Sequence, residues 1–415
     1  MSYPTDWGRK CELSIESDKV AGDLTDFPVL LNEDTLPSEM FDADGSYFAL
    51  NGGGDIRFSS DSAGVNQLPC EIVSFITDND PANGSAEIWV KVPSVSSSTD
   101  TKIYVWYHKS GETQPAVDST YGAENVWDSN FKMVQHMGDV TTSTITDSTT
   151  NDNDGTKKDV DKPEQITNGQ ISDAQDFDGS EDYIHVADDD SLSFGNGSTD
   201  TPFSVSAWVN MDSVVNFRWF CKGHWTSTAE YYFYTAASKL NFVLADNSNV
   251  GWIGRLYNTV LTAYQGNWVF ITASYDGSGS DTGINIYING VAVDDVNNSG
   301  GTYVAMENLG EELLIGANSW SANIDYFADG KIDEVRVSNV VRSDEWILAE
   351  YKNTNSPSTF ITEGTPETPI TGLNLQINIG DSFKDVEAIK INIGDSWKVV
   401  TAIKINIGDS WKDVF

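Results

Sequence analysis

Short runs in which every second residue is apolar recur along this sequence and constrain its fold more than any other feature. Clear examples are Cys11–Ile15, Ile88–Val92 and Lys102–Tyr107. Alternate side chains of a β-strand point to opposite faces, so a period of two predicts strands that bury one face. Gly, Ser, Thr, Asn and Asp crowd the intervals between these runs, as is typical of turns. The pattern predicts an all-β protein.

The composition sets the size of the fold and argues against one class of partner. The chain has 415 residues, of which 39% are hydrophobic, and this is enough apolar material for two or three folded domains. It carries 63 acidic and 24 basic residues, a formal net charge of −39. Because such a surface repels phosphates, we expect no binding of nucleic acid. A solvated acidic surface explains the excess best, and binding of divalent cations is the alternative.

Three cysteines, Cys11, Cys70 and Cys221, are too few for a disulfide framework. Cys11 and Cys70 each lie in an apolar run, so we interpret them as small buried strand residues. A bridge between Cys11 and Cys70 is the alternative.

The start of the sequence and its hydropathy bear on localisation. Residues 1–7 show neither the basic nor the apolar region of a signal peptide. No run of about 18 apolar residues is present, so we expect no membrane span. These features predict a protein that leaves the cell by another route or on lysis.

The first segment, residues 1–128, is built from such short strands. Its motifs, in order, are Trp7–Lys10, Phe27–Leu30, Asp55–Phe58, Leu68–Ile72, Ile88–Val92, Ile103–Tyr107 and Val126–Asp128. They resemble a domain of unknown function (family 2341) that often precedes LamG domains in microbial and viral surface proteins. The resemblance implies a β-sandwich and no chemistry.

The second segment, residues 129–362, also reads as strands. Its motifs include Met133–Met137, Phe177–Ile184, Phe203–Val209, Asn267–Tyr275, Ile286–Val291, Leu314–Ala317 and Gly330–Val337. They resemble the LamG-like, concanavalin A-like jelly-roll family, and Arg342–Ile347 matches the short helix that follows the last strand. Independently, the Asn-Gly pair at 289–290 predicts a hairpin turn.

A linker at residues 363–372, with Pro366 and Pro369, leads to a repeat of 14 residues at 373–415. Each copy has apolar residues two apart, a Gly-Asp-Ser turn and an aromatic residue, which predicts three β-hairpins. The tail resembles the C-termini of phage structural proteins. Its recurring aromatics are predicted to form an assembly surface for other virion proteins or sister copies: Phe383, Trp397 and Trp411.

The sequence lacks the motifs of the common hydrolases. Glycosidases on lectin-like sandwiches carry their carboxylates on alternate residues of one strand, as Glu-x-Asp-x-Glu or Glu-x-Asp-x-x-Glu, and neither motif occurs here. The neighbouring acids Glu311 and Glu312 would point to opposite faces. No Gly-x-Ser-x-Gly, His-Glu-x-x-His or Walker sequence is present. We therefore expect no enzymatic activity.

The resemblance to the jelly-roll family implies a structural calcium ion (Ca2+) where the final long strand meets an early loop. Matched by motif, its ligands would be Asp333, Asp178 and Gly179, and carboxylate and carbonyl oxygens suit calcium. The alternative is that both aspartates accept backbone hydrogen bonds in turns. The loop 150–161 half-matches an EF-hand, but Thr150 opens it, so we interpret it as a surface turn.

Three predicted loops at one end of the sandwich contain tryptophan. The candidate ligand-binding residues are Trp225, Trp252, Arg255 and Trp320. Aromatic faces with nearby polar groups are what sugar-binding sites require. The alternative is that one or two of these rings pack in the core or at an interface.

Together these features predict tandem β-sandwiches, the second a jelly roll, followed by a hairpin repeat. The expected function is that of a non-enzymatic virion surface protein, as a capsid decoration, fibre or tail component, that binds host or environmental glycans. A microbial cell-surface adhesin is the alternative, and an accessory module of a polysaccharide-degrading enzyme is a third interpretation.

Overall fold

A computed structural model describes residues 3–141, 143–158, 162–320 and 323–369, together with the backbone of six short strands between residues 376 and 413. The first domain contains seven strands: β1 Arg9–Ile15, β2 Leu24–Asn32, β3 Arg57–Ser59, β4 Gln67–Leu68, β5 Cys70–Ile76, β6 Ser85–Val95 and β7 Thr101–Tyr107. One sheet has the order β1-β7-β3-β4 and the other β2-β6-β5. Ile103, Val105 and Tyr107 are fully buried, as the alternation of β7 predicts.

The second domain contains nineteen strands in the described part of the chain: β8 Phe131–Gln135, β9 Thr144–Ile145, β10 Gly155–Lys157, β11 Glu164–Ile166, β12 Ala174–Asp178, β13 Ile184–Val186, β14 Phe203–Met211, β15 Arg218–Lys222, β16 Tyr231–Ala236, β17 Lys239–Asp246, β18 Gly251–Leu256, β19 Trp268–Tyr275, β20 Ile284–Ile288, β21 Val291–Ala292, β22 Val296–Asn297, β23 Leu313–Ile315, β24 Asn318–Trp320, β25 Asn323–Asp325 and β26 Asp329–Ser338. A nine-stranded sheet, β22-β18-β17-β16-β15-β23-β13-β10-β9, faces an eight-stranded sheet in which β8 and β11-β12-β26-β14-β19-β20-β21 pair. Trp219 and Phe233 of the first sheet and Ile271 of the second belong to one buried core. The all-β prediction, with two layers in this domain, is confirmed.

The chain returns to the first domain after β26. Helices α1 Asp344–Asn355 and α2 Pro357–Phe360 lead into strand β27 Ile361–Glu363, which pairs with β1. Ser343 accepts a hydrogen bond from the amide of Trp346 and caps α1. The ring of Trp346 packs edge-on against Phe27, with 4.9 Å between centroids. The predicted boundary at residue 362 thus falls inside a strand of the first sheet.

The two domains share one apolar cluster. It contains Phe27 and Val90 of the first domain together with Phe131, Ile171 and Trp346. Because this interface is packed as closely as a core, it fixes the orientation of the two domains relative to each other. The first part of the predicted linker lies beside β1, where the amide of Glu367 donates a hydrogen bond to the carbonyl of Lys10.

The cysteines are buried free thiols. Cys11, Cys70 and Cys221 have no disulfide partner in the described residues, so the alternative of a Cys11–Cys70 bridge is wrong. Within the same residues, no helix is long and apolar enough to cross a bilayer.

Each copy of the C-terminal repeat forms an antiparallel pair of strands, and the hairpin prediction is confirmed. The strands are β28 Gln376–Asn378, β29 Phe383–Asp385, β30 Lys390–Ile393, β31 Ser396–Val399, β32 Lys404–Ile407 and β33 Ser410–Asp413, paired in sequence order. Phe383, Trp397 and Trp411 lie on β29, β31 and β33. Their side chains fall outside the described part of the chain, so the assembly surface stays a prediction.

Candidate functional site

The outer face of the nine-stranded sheet carries a group of aromatic and polar side chains. Arg218 of β15 lies opposite Tyr234 of β16, and Cys221 lies opposite Tyr232. The register shifts beside Trp219, whose ring belongs to the core. This bulge adds one residue to β15, so Arg218 and Cys221 both face outward beside the two tyrosines.

A cavity of about 320 Å³ opens on this face. Its aromatic lining comes from β16, from two loops and from β24: Trp225, Tyr232, Tyr234, Trp320 and Tyr326. Its polar lining includes the side chains of Asn216, Arg218 and Asn318. Ring faces beside a few fixed polar groups are the usual composition of a small-ligand site.

The tryptophans that were predicted from three separate loops lie together. The rings of Trp225 and Trp320 are nearly parallel, with 6.5 Å between centroids and 22° between planes. Trp252 lies 6.4 Å from Trp225, and Tyr232 meets Trp225 edge-on at 5.2 Å. Trp320 is 45% exposed. A large ring that is half in water at the mouth of a cavity is available to a ligand.

Hydrogen bonds fix the loop that carries Trp225. The amide of Trp225 donates to the carbonyl of Ser319, 3.0 Å away. The Nδ1 atom of His224 is hydrogen-bonded to the Ser319 hydroxyl, and its Nε2 atom lies 3.1 Å from Glu311. The loop is thereby joined to β24, which carries Trp320, and the two rings are held in register.

Arg218 forms the polar end of the cavity. It is 6% exposed, and its guanidinium lies over the rings of Tyr234 and Tyr326, at 4.5 and 4.9 Å from their centroids. It donates a hydrogen bond to the carbonyl of Thr235. Burial lowers the pKa of Arg218, because the charged form loses water.

Sequence reasoning missed Arg218, Tyr232, Tyr234 and Tyr326. Only the tyrosines of β16 left a signal. Tyr232 and Tyr234 are two residues apart and so share a face that the intervening Phe233 does not.

Comparison with known proteins gives the fold of this domain. Residues 178–348 match the model of the concanavalin A-like lectin/glucanases superfamily. The chain contains a concanavalin A-like domain. Residues 52–136 match a domain of unknown function (DUF2341). A comparison with curated protein sequences gave no match.

Solved structures with partial similarity include two binding domains and one domain of an arabinanase. The binding domain of Paraclostridial Mosquitocidal Protein 1 is 12% identical over 54% of this chain and 52% of its own, with a TM-score of 0.41. Domain 4 of AbnA, a GH43 extracellular arabinanase from Geobacillus stearothermophilus in complex with arabinotriose, is 18% identical. The match covers 53% of this chain and 98% of that domain, with a TM-score of 0.39. The binding domain of botulinum neurotoxin serotype G is 14% identical over 55% of this chain and 52% of its own, with a TM-score of 0.42. The chain thus spans about half the length of the two toxin binding domains.

The other two predicted ligand-binding residues are engaged within the concanavalin A-like domain. Arg255 pairs with Asp294, with its Nη2 atom 2.7 Å from the carboxylate, and does not line the cavity. Trp252 covers Gly300, where an added Cβ would lie 2.4 Å from the ring. Arg255 therefore stabilises β18, and Trp252 packs beside Trp225 and on Gly300.

The three residues predicted to bind calcium are not brought together. Asp178 lies opposite Asp329 in the β12–β26 pair. Asp329 and Asp333 are four residues apart on β26, a separation of about 13 Å along the strand. Asp178 accepts the amide of Ser180, and Gly179 has φ +76°, as in a tight turn. Asp333 is fully buried and accepts the amide of Ile171 at 2.9 Å. These contacts match the alternative in which both carboxylates cap backbone turns.

One group of three metal-ligand side chains occurs in the described residues, between the two domains. Glu87, His136 and Glu334 place their ligand atoms within 4.8 Å of one another. The Nδ1 atom of His136 lies 2.7 Å from Glu334 and 3.2 Å from Glu87. Arg336 bonds Glu334 at 2.5 Å and Glu350 at 2.7 Å. Two cationic side chains, His136 and Arg336, therefore already lie beside the carboxylate of Glu334.

The pKa shifts show how the charges in this group balance. Burial opposes the charged form of His136, but the carboxylates of Glu334 and Glu71 outweigh it, so the pKa of His136 lies well above its ordinary value. Burial also opposes the charged form of Glu334, yet His136 and Arg336 lower its pKa. Burial raises the pKa of Glu87. We interpret the group as an ion-pair network that joins the domains.

Proposed function

We propose that the concanavalin A-like domain binds glycans in the cavity lined by Trp225 and Trp320. The observation that carries this proposal is the pair of nearly parallel indole rings beside the amides of Asn216 and Asn318. The C–H faces of a sugar ring pack on aromatic rings, and its hydroxyls pair with amides. The half-exposed ring of Trp320 gives a sugar apolar surface to cover.

A glycan array probed with the full chain, followed by calorimetry on the best ligand, tests this function. Trp320→Ala removes an exposed ring, so the fold should persist while Kd rises at least tenfold, a loss of about 1.4 kcal/mol. Tyr121→Ala, at a 37% exposed tyrosine of the first domain, is the matched control and should bind as the wild type. Equal affinity of Trp320→Ala and wild type would reject the cavity as the site.

The binding function is proposed to be non-enzymatic. Its support is the cavity lining, which is mainly aromatic and amide. Incubation of the bound glycan with the full chain should release no new reducing ends. Release that is lost when a single carboxylate is replaced would contradict the proposal.

We further propose that the chain is a virion surface protein that uses this cavity for attachment. The support is the tail of three tandem hairpins, each too small to bury a core of its own, which suits docking to a larger assembly. The resemblance to the C-termini of phage structural proteins that the sequence of the tail predicts points the same way. Imaging of purified particles with a specific antibody tests the location, and labelling of a cell surface instead would favour the adhesin alternative.

A further inference from the structure

Arg218 differs from four of the other five arginines of this strongly acidic protein in lacking a carboxylate partner. Carboxylate partners lie within 4 Å of the guanidinium groups of Arg9, Arg255, Arg336 and Arg342. No carboxylate of the described ranges comes that close to Arg218. An arginine without a counter-ion is therefore an exception here that needs a reason.

The comparison with Arg57 removes one explanation, that carbonyl groups replace the carboxylate. Arg57 is 5% exposed and bonds the carbonyls of Gly54, Ile56 and Thr113. Arg218 is equally buried but bonds one carbonyl, that of Thr235. A guanidinium carries five N–H donors, so most of those of Arg218 are unused.

The unused donors of Arg218 border the cavity. Arg218 is part of its lining, and none of its nitrogens is among the enclosed polar atoms that lack a partner. The guanidinium also contacts the rings of Tyr234 and Tyr326, which restrict its position. A planar group fixed in this way is preorganised to bind an oxyanion with two parallel hydrogen bonds.

We propose that Arg218 binds the anionic group of an acidic sugar, with the sugar ring against Trp225 and Trp320. A buried charge without a partner is costly, and an anionic ligand would supply the missing partner. This inference rests on the proposed glycan-binding function and assigns the class of glycan. Carboxylates and sulfate esters share the required chemistry.

The surrounding charges select for a single negative group. Asp325 interacts electrostatically with Arg218, and burial raises the pKa of Asp325. The carboxylate of Glu311 lies 3.1 Å from His224, which belongs to the loop that carries Trp225. With a net charge of −39 on the whole chain, a dense polyanion is repelled, and one isolated acidic residue in a glycan is favoured.

The decisive experiment compares matched ligands on the full wild-type chain. Calorimetry uses one oligosaccharide in three forms: with a carboxylate, with the same carboxyl group reduced to an alcohol, and with a sulfate ester on the neutral form. We expect the carboxylate form to bind at least tenfold more tightly than the reduced form, and its affinity to fall as salt rises. The sulfated form distinguishes the two sources of negative charge.

Variants then assign the preference to one side chain. Arg218→Gln should lower affinity for the acidic form at least tenfold and leave the reduced form within twofold, and Arg218→Lys should lie between. Asp325→Asn, a control of opposite sign, should strengthen binding of the acidic form alone. Because the ligand comparison needs no variant, misfolding of Arg218→Gln would not hide the answer.

Three outcomes separate this inference from the function on which it rests. Equal wild-type affinity for charged and reduced forms overturns the role of Arg218 but leaves glycan binding intact. Equal weakening of both forms by Arg218→Gln does the same. Failure of every glycan to bind overturns the proposed function, and the inference with it.

Discussion

Glu230 is a carboxyl group enclosed beside β16, next to the loop that carries Trp225. It is fully buried, and its Oε1 atom lies 3.6 Å from the Nζ atom of Lys222 and 3.3 Å from the hydroxyl of Ser193. Its Oε2 atom has no partner in the described residues. Lys222 is nearer to Asp188, at 2.7 Å. Burial raises the pKa of Glu230 from 4.5 to about 7, and Lys222 only partly offsets it.

The sign of the resulting pH dependence follows from proton binding. Between pH 4.5 and 7 the folded protein holds this proton and the unfolded chain does not. The contribution to stability is therefore complete below pH 4.5 and is lost as the pH rises through 7. At about 1.4 kcal/mol per pKa unit, the loss is about 3 kcal/mol. For domains of this size this corresponds to several degrees in melting temperature.

Glu230→Gln keeps the shape of the side chain and removes its ionisation. We expect the variant to melt with the wild type at about pH 4 and several degrees above it at about pH 8, in thermal or urea unfolding at constant salt. Glu164→Gln, at an exposed position of β11, is the matched control and should melt with the wild type at both pH values. A Glu230→Gln variant less stable than wild type at pH 8 would show that the pair with Lys222 stabilises the fold, and would refute the reasoning.

Three further predictions concern other parts of the chain. Glu334→Gln should lower the free energy of unfolding by about 3–5 kcal/mol in urea titrations, because it leaves His136 and Arg336 without their shared carboxylate. If calcium binds as predicted, treatment with a chelator should lower the melting temperature of the full chain, and an unchanged value would rule the ion out. Deletion of residues 370–415 should leave a soluble folded protein that no longer joins a particle or oligomer. Normal incorporation of that truncated chain would show that the tail is not the anchor.

The fold could be predicted because its information is local. The alternation in β7 requires one buried face, and the Asn-Gly turn at 289–290 closes β20 on β21 as predicted. The path after β26 could not be predicted in the same way. The pairing of β27 with β1 joins residues about 350 positions apart, and nothing in Ile361–Glu363 names its partner.

The same difference between local and distant information separates the site residues that the sequence predicted from those that it missed. Trp225 and Trp320 were found because a tryptophan in a polar loop stands out in the sequence, and the fold then brings them to 6.5 Å. Arg218 was missed because its significance is the lack of a counter-ion, which is a property of its neighbours in space.

The alternation of β6 contains a sequence signal of the interface between the two domains, which the sequence analysis did not use. In β6, Ile88, Val90 and Val92 face the core of the first domain, so Glu87 and Trp89 share the opposite face. Trp89 is fully buried there, and its indole N–H donates to Glu87 at 3.1 Å. A tryptophan on the outward face of a strand is costly to leave in water and so indicates a covering partner. The pattern could not identify that partner. His136, which follows β8, and Glu334 of β26 are distant in the sequence, and only the assembled fold brings their charges to Glu87.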